Sequence, residues 1–138
     1  PDTCIHRLFE AQVARTPDAV AVSYADEHLS YAELDARSNQ LAHALVAHGV
    51  AANALGGVAM ERSLEMVIAL LGILKAGGAY VPLDPGYPDD RLRFMANDAH
   101  VRLILTQERF RLRWHGFGMT CLAVDDPGVL QLAAHPGT

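Results

Sequence analysis

Apolar residues follow two rhythms along this chain, and the change between them marks out its elements. Ile5, Leu8, Phe9 and Val13 recur at i, i+3, i+4 and i+8, the spacing of a helix with one buried stripe. Thr3 is placed to cap its start. Thr16-Pro17 ends it, because proline disfavours helical geometry at the residue before it. Residues 19–24 form a β-rich run, Asp26-Glu27 a polar turn, and residues 28–31 the returning arm of a hairpin. Ser30 and Glu33 stand in capping-box spacing, so Ser30 starts a helix running to His48. Leu34, Leu41 and Leu45 share one face of that helix, and Gly49 supplies its left-handed stop.

From residue 55 onward, short apolar runs alternate with helical ones. Residues 55–60 read as a strand, and Ser63 as the cap of the next helix. That helix carries Leu64, Val67, Ile68, Leu70, Leu71, Ile73 and Leu74, which wrap most of its circumference. Each such side chain is worth about 1.5–3 kcal/mol when fully buried, so the helix belongs between a sheet and a second layer. Gly77 ends it, residues 79–83 form a strand, and Asp89 or Asp90 begins a helix with Leu92, Phe94 and Met95. Residues 101–106 and 119–124 are two further apolar strands. Strands separated by helices imply right-handed crossovers and a mostly parallel sheet with helices on both faces. With the N-terminal β-hairpin added, the expected class is α/β. One body over residues 1–127 and a poorly fixed tail over 128–138 are expected.

Composition narrows the partners. The chain has 138 residues, 51% hydrophobic and 20% charged, which fits one packed domain or a large part of one. Its net charge of −5 argues against nucleic acid, which asks for a basic patch. The nearest thing to one is Arg109, Arg111 and Arg113 interleaved with Phe110, Leu112 and Trp114. That alternation is strand-like and reads as an exposed amphipathic edge. The longest apolar run, 66–74, is too short to span a membrane, and no signal peptide opens the chain. Cys4 and Cys121 lie far apart with no Cys-x-x-Cys pattern, so neither a disulfide framework nor a zinc site is expected. A reducing cytoplasm is the default location. His43 and His48 are five apart, off the three- or four-residue spacing that sets both rings on one helix face. The start at Pro1 and the end at His135-Pro136-Gly137-Thr138 read as those of an excised or processed segment.

The most distinctive stretch is Leu74-Lys75-Ala76-Gly77-Gly78-Ala79-Tyr80-Val81-Pro82-Leu83-Asp84-Pro85-Gly86-Tyr87-Pro88, followed by Asp89-Asp90-Arg91-Leu92. Pro85 and Pro88 hold Asp84 and Tyr87 extended, while Gly86 lets the chain turn. The result is a stiff connector at the carboxyl end of a parallel strand, where open α/β sheets place ligands. Asp84 and Tyr87 are therefore candidates for ligand contact. The simpler alternatives, which we prefer, are a turn acceptor and a packed ring with a bonded hydroxyl. Lys75 is expected to complement the negative end of its helix rather than to catalyse. Gly56-Gly57 and Gly77-Gly78 lack phosphate-loop spacing, so Gly57 reads as opening a strand and Gly77 as closing a helix. Glu61-Arg62-Ser63 offers an acid, a base and a hydroxyl at another strand end, with helix capping and a surface ion pair the simpler account. Residues alone give a parallel α/β domain with ligand-side loops, and no particular reaction.

The same distinctive stretch closely resembles a core motif of the amino-acid-activating adenylation domains of nonribosomal peptide synthetases. Other stretches resemble that family in the family's own order. They are Leu8-Phe9-Glu10 with Arg15-Thr16-Pro17-Asp18-Ala19-Val20-Ala21-Val22, then Leu29-Ser30-Tyr31-Ala32-Glu33-Leu34, Glu61-Arg62-Ser63-Leu64-Glu65-Met66 and Leu103-Ile104-Leu105-Thr106. The resemblance covers about the first 110 residues. Ala54-Leu55-Gly56-Gly57 departs from it, since an acidic residue and a single glycine are more usual there.

What the resemblance implies is the N-terminal part of an incomplete adenylate-forming subdomain. The complete domain would use ATP and Mg to convert an amino acid to aminoacyl-AMP. It would then pass the aminoacyl group to the phosphopantetheine thiol of a carrier protein. The family's Ser/Thr/Gly-rich ATP loop with its lysine, its ribose aspartate, its mobile C-terminal lysine and its side-chain pocket have no counterpart here. No residue of this chain is therefore expected to be catalytic, cofactor-binding or metal-ligating, and the chain alone should be inactive. Implied partners are the remainder of the adenylation domain, an upstream condensation domain, the carrier protein and a small accessory protein. Neither nucleic acid nor membrane is expected. Two alternatives stay open: an acyl-CoA or aryl-acid ligase fragment of the same superfamily, and a non-catalytic interdomain docking module.

Overall fold

The computed structural model describes residues 5–49 and 54–125. The expected cap at Thr3 and the expected tail over 128–138 lie outside the described residues. Helix α1 (Ile5–Arg15) leads into an antiparallel hairpin of β1 (Val20–Tyr24) and β2 (Glu27–Ser30). Glu27 belongs to β2, so the hairpin turn falls one residue earlier than the polar pair Asp26-Glu27 suggested. Helix α2 (Tyr31–Ala47) starts with a complete capping box. Glu33 N–H donates to Ser30 Oγ at 3.1 Å, and Ser30 N–H donates to the Glu33 carboxylate at 2.8 Å. That backbone donor holds the Glu33 carboxyl below its ordinary range. His48 follows as the helix end, and Gly49 adopts the expected left-handed conformation, φ 86°.

The second half is a four-stranded parallel sheet in the order β4-β3-β5-β6, with β4 (Ala79–Pro82) and β6 (Thr120–Ala123) at its edges. Strands β3 (Leu55–Ala59) and β5 (Leu103–Thr106) lie inside. Helix α3 (Leu64–Lys75) connects β3 to β4, and α4 (Asp89–Asp98) connects β4 to β5. Successive side chains of a strand point to opposite faces, and the two cores follow that alternation. Val58, Leu103, Leu105 and Leu122 face α2 and α3, whereas Ala59 and Ile104 face α4 and the segment before β6. Gly57 is a buried mid-strand residue, not a strand opener. A Cβ there would stand 2.7 Å from Leu83 Cδ1 and 3.2 Å from Val101 Cγ1, so glycine lets these side chains cover this face closely.

Helix α3 lies between the sheet and α2, as its apolar circumference required. Val67, Leu70 and Leu74 remain partly open and join Ile5, Phe9 and Tyr80 around a groove of about 400 Å³. Helix α1 has no buried residue, and Ile5 is 68% exposed, because α1 rests on the rim of the groove through Phe9 rather than within the core. Phe94 is also exposed, since Leu92 and Ala96 already make the contact of α4 with the sheet. The alternating stretch around Arg109 is no strand but a 3-10 helix, Glu108–Phe117. Three residues complete one turn of such a helix, so Trp114 and Phe117 lie one above the other toward the sheet. Their rings meet edge to face at 5.0 Å.

Candidate functional site

Chain direction makes the carboxyl edge of the sheet the site-bearing one. The connection leaving β3 runs to α3 on one face, while those leaving β4 and β5 run to the other face. Two crevices therefore open beside the end of β3, at the points where connections part to opposite sides.

The crevice between β3 and β5 is closed by side chains of this chain. Gln107, which is buried, accepts from Glu61 N–H at 3.2 Å and donates to Ser63 Oγ and Glu65 Oε1, each at 3.4 Å. Arg109 pairs with Glu61 over the top. Ser63 Oγ accepts from Met66 N–H at 3.2 Å, the expected cap of α3. Beneath this layer Thr106 Oγ1 donates to Ala59 O at 2.7 Å and accepts from Trp114 Nε1 at 3.0 Å. The ends of β3 and β5 are thus tied to each other and to the 3-10 helix.

The crevice between β3 and β4 is open, with a volume of about 430 Å³ and walls from Met60, Glu61, Arg62, Leu83 and Asp84. Asp84 Oδ1 accepts from Gly86 N–H at 2.8 Å, which makes it the turn acceptor. Tyr87 is not the packed ring anticipated: it is part exposed, and the Arg91 guanidinium lies 4.5 Å from its centroid. Lys75 does more than face a helix end. Its side chain is only 5% exposed and bridges α3 to α2, with Nζ 2.7 Å from Asp35 Oδ1 and 2.8 Å from Asn39 Oδ1, above the Phe9 ring. His43 and His48 are both exposed, on and just after α2.

Residues to which the sequence assigned no such role complete the edge. Arg113 donates from Nε to Asp89 Oδ1 at 2.8 Å, from Nη1 to Pro85 O at 2.6 Å and from Nη2 to Tyr87 O at 2.8 Å. Thr106-Gln107 carried a usable signal, being a polar pair at the end of an apolar strand. Arg113 carried none, because its partners lie 24 to 28 residues upstream.

These residues do not fit Mg·ATP unaided. Phosphate sites favour open helix N-termini and a divalent cation needs available carboxylates. Glu61 is paired with Arg109, Asp84 is bonded within its turn, and Asp125 Oδ1 accepts from Glu108 N–H at 2.7 Å. The first turn of α4 carries Asp89 and Asp90, which oppose an anion. Among the described residues no group of three His, Cys, Asp or Glu is placed to hold a metal ion. No helix among them is long and apolar enough to cross a membrane.

Residues 9–134 match the AMP-binding enzyme family. The chain belongs to it. Adenylation domains of nonribosomal peptide synthetases supply its relatives, and the chain corresponds to the N-terminal portion of such a domain. It is 53% identical over 123 residues to a linear gramicidin synthase of Brevibacillus parabrevis, covering 88% of this chain and 2% of that protein. It is 46% identical over 129 residues to gramicidin S synthase 2 of Brevibacillus brevis, covering 94% and 3%. Zwittermicin A synthase ZmaJ of Bacillus cereus matches at 52% over 112 residues, covering 81% and 21%. The chain thus spans a small part of each relative. Among solved structures, the synthetase FmoA3 bound to α-methyl-L-serine-AMP superposes with a TM-score of 0.86 at 37% identity, over 91% of this chain and 14% of that one. The fold alone is shared with O-succinylbenzoate coenzyme A synthetase of Bacillus subtilis, TM-score 0.80 at 24% identity over 89% and 32%.

One thiol of this adenylation-domain portion has a distinctive state. Burial pushes Cys121, on β6, up to about 11 from an ordinary 9.0. Its thiolate fraction at neutral pH should be roughly a hundredfold below that of an open cysteine. Timed iodoacetamide labelling with peptide mapping checks this, and labelling of Cys121 at the rate of free cysteine would contradict it.

Proposed function

We propose that this chain is the N-terminal scaffold of an amino-acid-activating domain whose reacting groups lie elsewhere in the parent protein. In the complete domain an amino-acid carboxylate oxygen would bond to the α-phosphorus of ATP as pyrophosphate leaves. The aminoacyl group would then pass from AMP to the phosphopantetheine thiol of a carrier protein, which becomes a thioester. The observation that carries this reading is the match of nearly the whole chain to gramicidin synthases. The self-bonded carboxylates of the sheet edge support it too, since they leave ATP binding to other segments. Likeness to the coenzyme A synthetase extends to the fold alone, so amino-acid activation is the stronger reading. A cytoplasmic setting and a neighbouring condensation domain, carrier protein and accessory protein belong to the same proposal.

The test is amino-acid-dependent ATP–pyrophosphate exchange. Residues 1–138 alone should give none. The same residues, grafted in place of their counterpart in an adenylation domain of the linear gramicidin synthase, should retain exchange. Activity of the isolated chain would refute completion elsewhere. A folded but inert graft would refute the scaffold role.

A further inference from the structure

We propose that Arg113 is a positioning residue of the adenylation site: it sets where the 84–88 turn stands against the open crevice beside β3. The inference rests on the function proposed above. The turn has two kinds of support. Asp84 Oδ1 accepts from Gly86 N–H, and Tyr87 N–H donates to Asp84 O at 3.0 Å; both bonds are internal and fix only its shape. Its entry is fixed to β3 by Leu83 N–H, which donates to Val58 O at 2.9 Å, while the hold on its middle and exit comes from outside. Arg113 supplies that link, holding Pro85 O and Tyr87 O, the carbonyls on either side of Gly86, together with Asp89 at the start of α4.

Arg113 is itself held. Its guanidinium lies 5.1 Å from the ring of Trp114, which is bonded to Thr106, which is bonded to Ala59 at the end of β3. A continuous line of contacts thus runs from the end of β3 to the turn that walls the crevice. The guanidinium is a rigid planar fork, so three acceptors at fixed positions constrain both distance and angle. Asp84, Leu83 and Pro82 on that wall face Glu61 and Arg62 across the opening. Arg113 need not touch substrate to act, because misplacing part of a site by about 1 Å can cost a factor of about 100.

The experiment uses the complete adenylation domain that contains this chain. ATP–pyrophosphate exchange is normalised to active sites by the burst of aminoacyl-AMP, with melting temperature and amide hydrogen exchange measured beside it. Arg113→Ala should lower kcat per active site by about 10–100-fold, leave KM for ATP within about threefold, and speed exchange of the Gly86 and Tyr87 amides. Arg113→Lys presents a point charge in place of a fork and should stay at least about fivefold below the parent. A kcat per active site within about twofold of the parent, with only the melting temperature lowered, would overturn the proposal. If Arg113→Ala does not fold, Asp89→Ala removes one arm of the clamp and should cost about 2–5-fold in kcat; no change there would overturn it equally. An unmodified parent without exchange would refute the adenylation reading and this inference together. An active parent with a fully active Arg113→Ala refutes this inference alone.

Discussion

Replacing Trp114 by alanine is expected to destabilise the chain by about 3–5 kcal/mol, the cost of a large cavity in a closely packed site. Trp114 has no exposed surface; it packs on Phe117 within the 3-10 helix and joins that helix to the sheet through the shared core and by donating to Thr106. Truncation removes both contacts. Trp114→Phe separates them, since it keeps most of the apolar volume and loses only the N–H. Thr106 Oγ1 retains its bond to Ala59 O, so this change should cost about 1–2 kcal/mol. Urea denaturation of the two variants, with unchanged m-values, gives the comparison. Equal losses would mean that the hydrogen bond, not packing, holds this layer.

Gly72→Ala is expected to destabilise as well, although alanine is the better helix former. The propensity gain is about 0.8–1.0 kcal/mol. Against it stands Leu41 of α2, whose Cδ2, Cγ and Cβ would lie 2.8, 2.9 and 3.1 Å from the new Cβ. Leu41 is fully buried, and its Cβ is fixed to the backbone of its own helix, so neither partner has room to yield. Overpacking of this kind costs about 1–3 kcal/mol, which outweighs the gain. Gly72→Leu should exceed that range, because the two helices must separate to admit it. A Gly72→Ala protein that melts at or above the parent temperature would show that α2 and α3 are not this closely apposed.

The elements legible in the sequence are those whose cause is local. Ser30 and Glu33 announce a cap in four residues, and both bonds of the box are present. The apolar circumference of α3 likewise requires cover on two sides, which the sheet and α2 provide. Local pattern fails where tertiary contact decides. Arg109, Arg111 and Arg113 alternate with apolar residues as a strand would. The segment instead winds into a tight helix because Trp114 and Phe117 reach the sheet together. Ile5 and Leu8 make a proper helical stripe, yet a stripe specifies only which side is apolar, not whether anything covers it. At the candidate site, the flanking prolines and glycine mark Asp84 as a turn acceptor, and its bond to Gly86 makes it one. The Arg113 clamp is not legible, since a side chain reaching back across α4 leaves no periodic trace.

The position of β4 on the margin of the sheet has a consequence for behaviour in crowded solution. Ala79 and Leu83 direct their amides inward to Ala54 O and Val58 O, at 3.0 and 2.9 Å. Alternation then turns the N positions of Tyr80 and Pro82 outward. Proline has no amide hydrogen, so an intruding strand meets a single donor, that of Tyr80, along the whole of β4. The carbonyls of Tyr80 and Pro82 still accept, but with one donor an intruding strand cannot complete the ladder, which makes this margin a poor template for fibre growth.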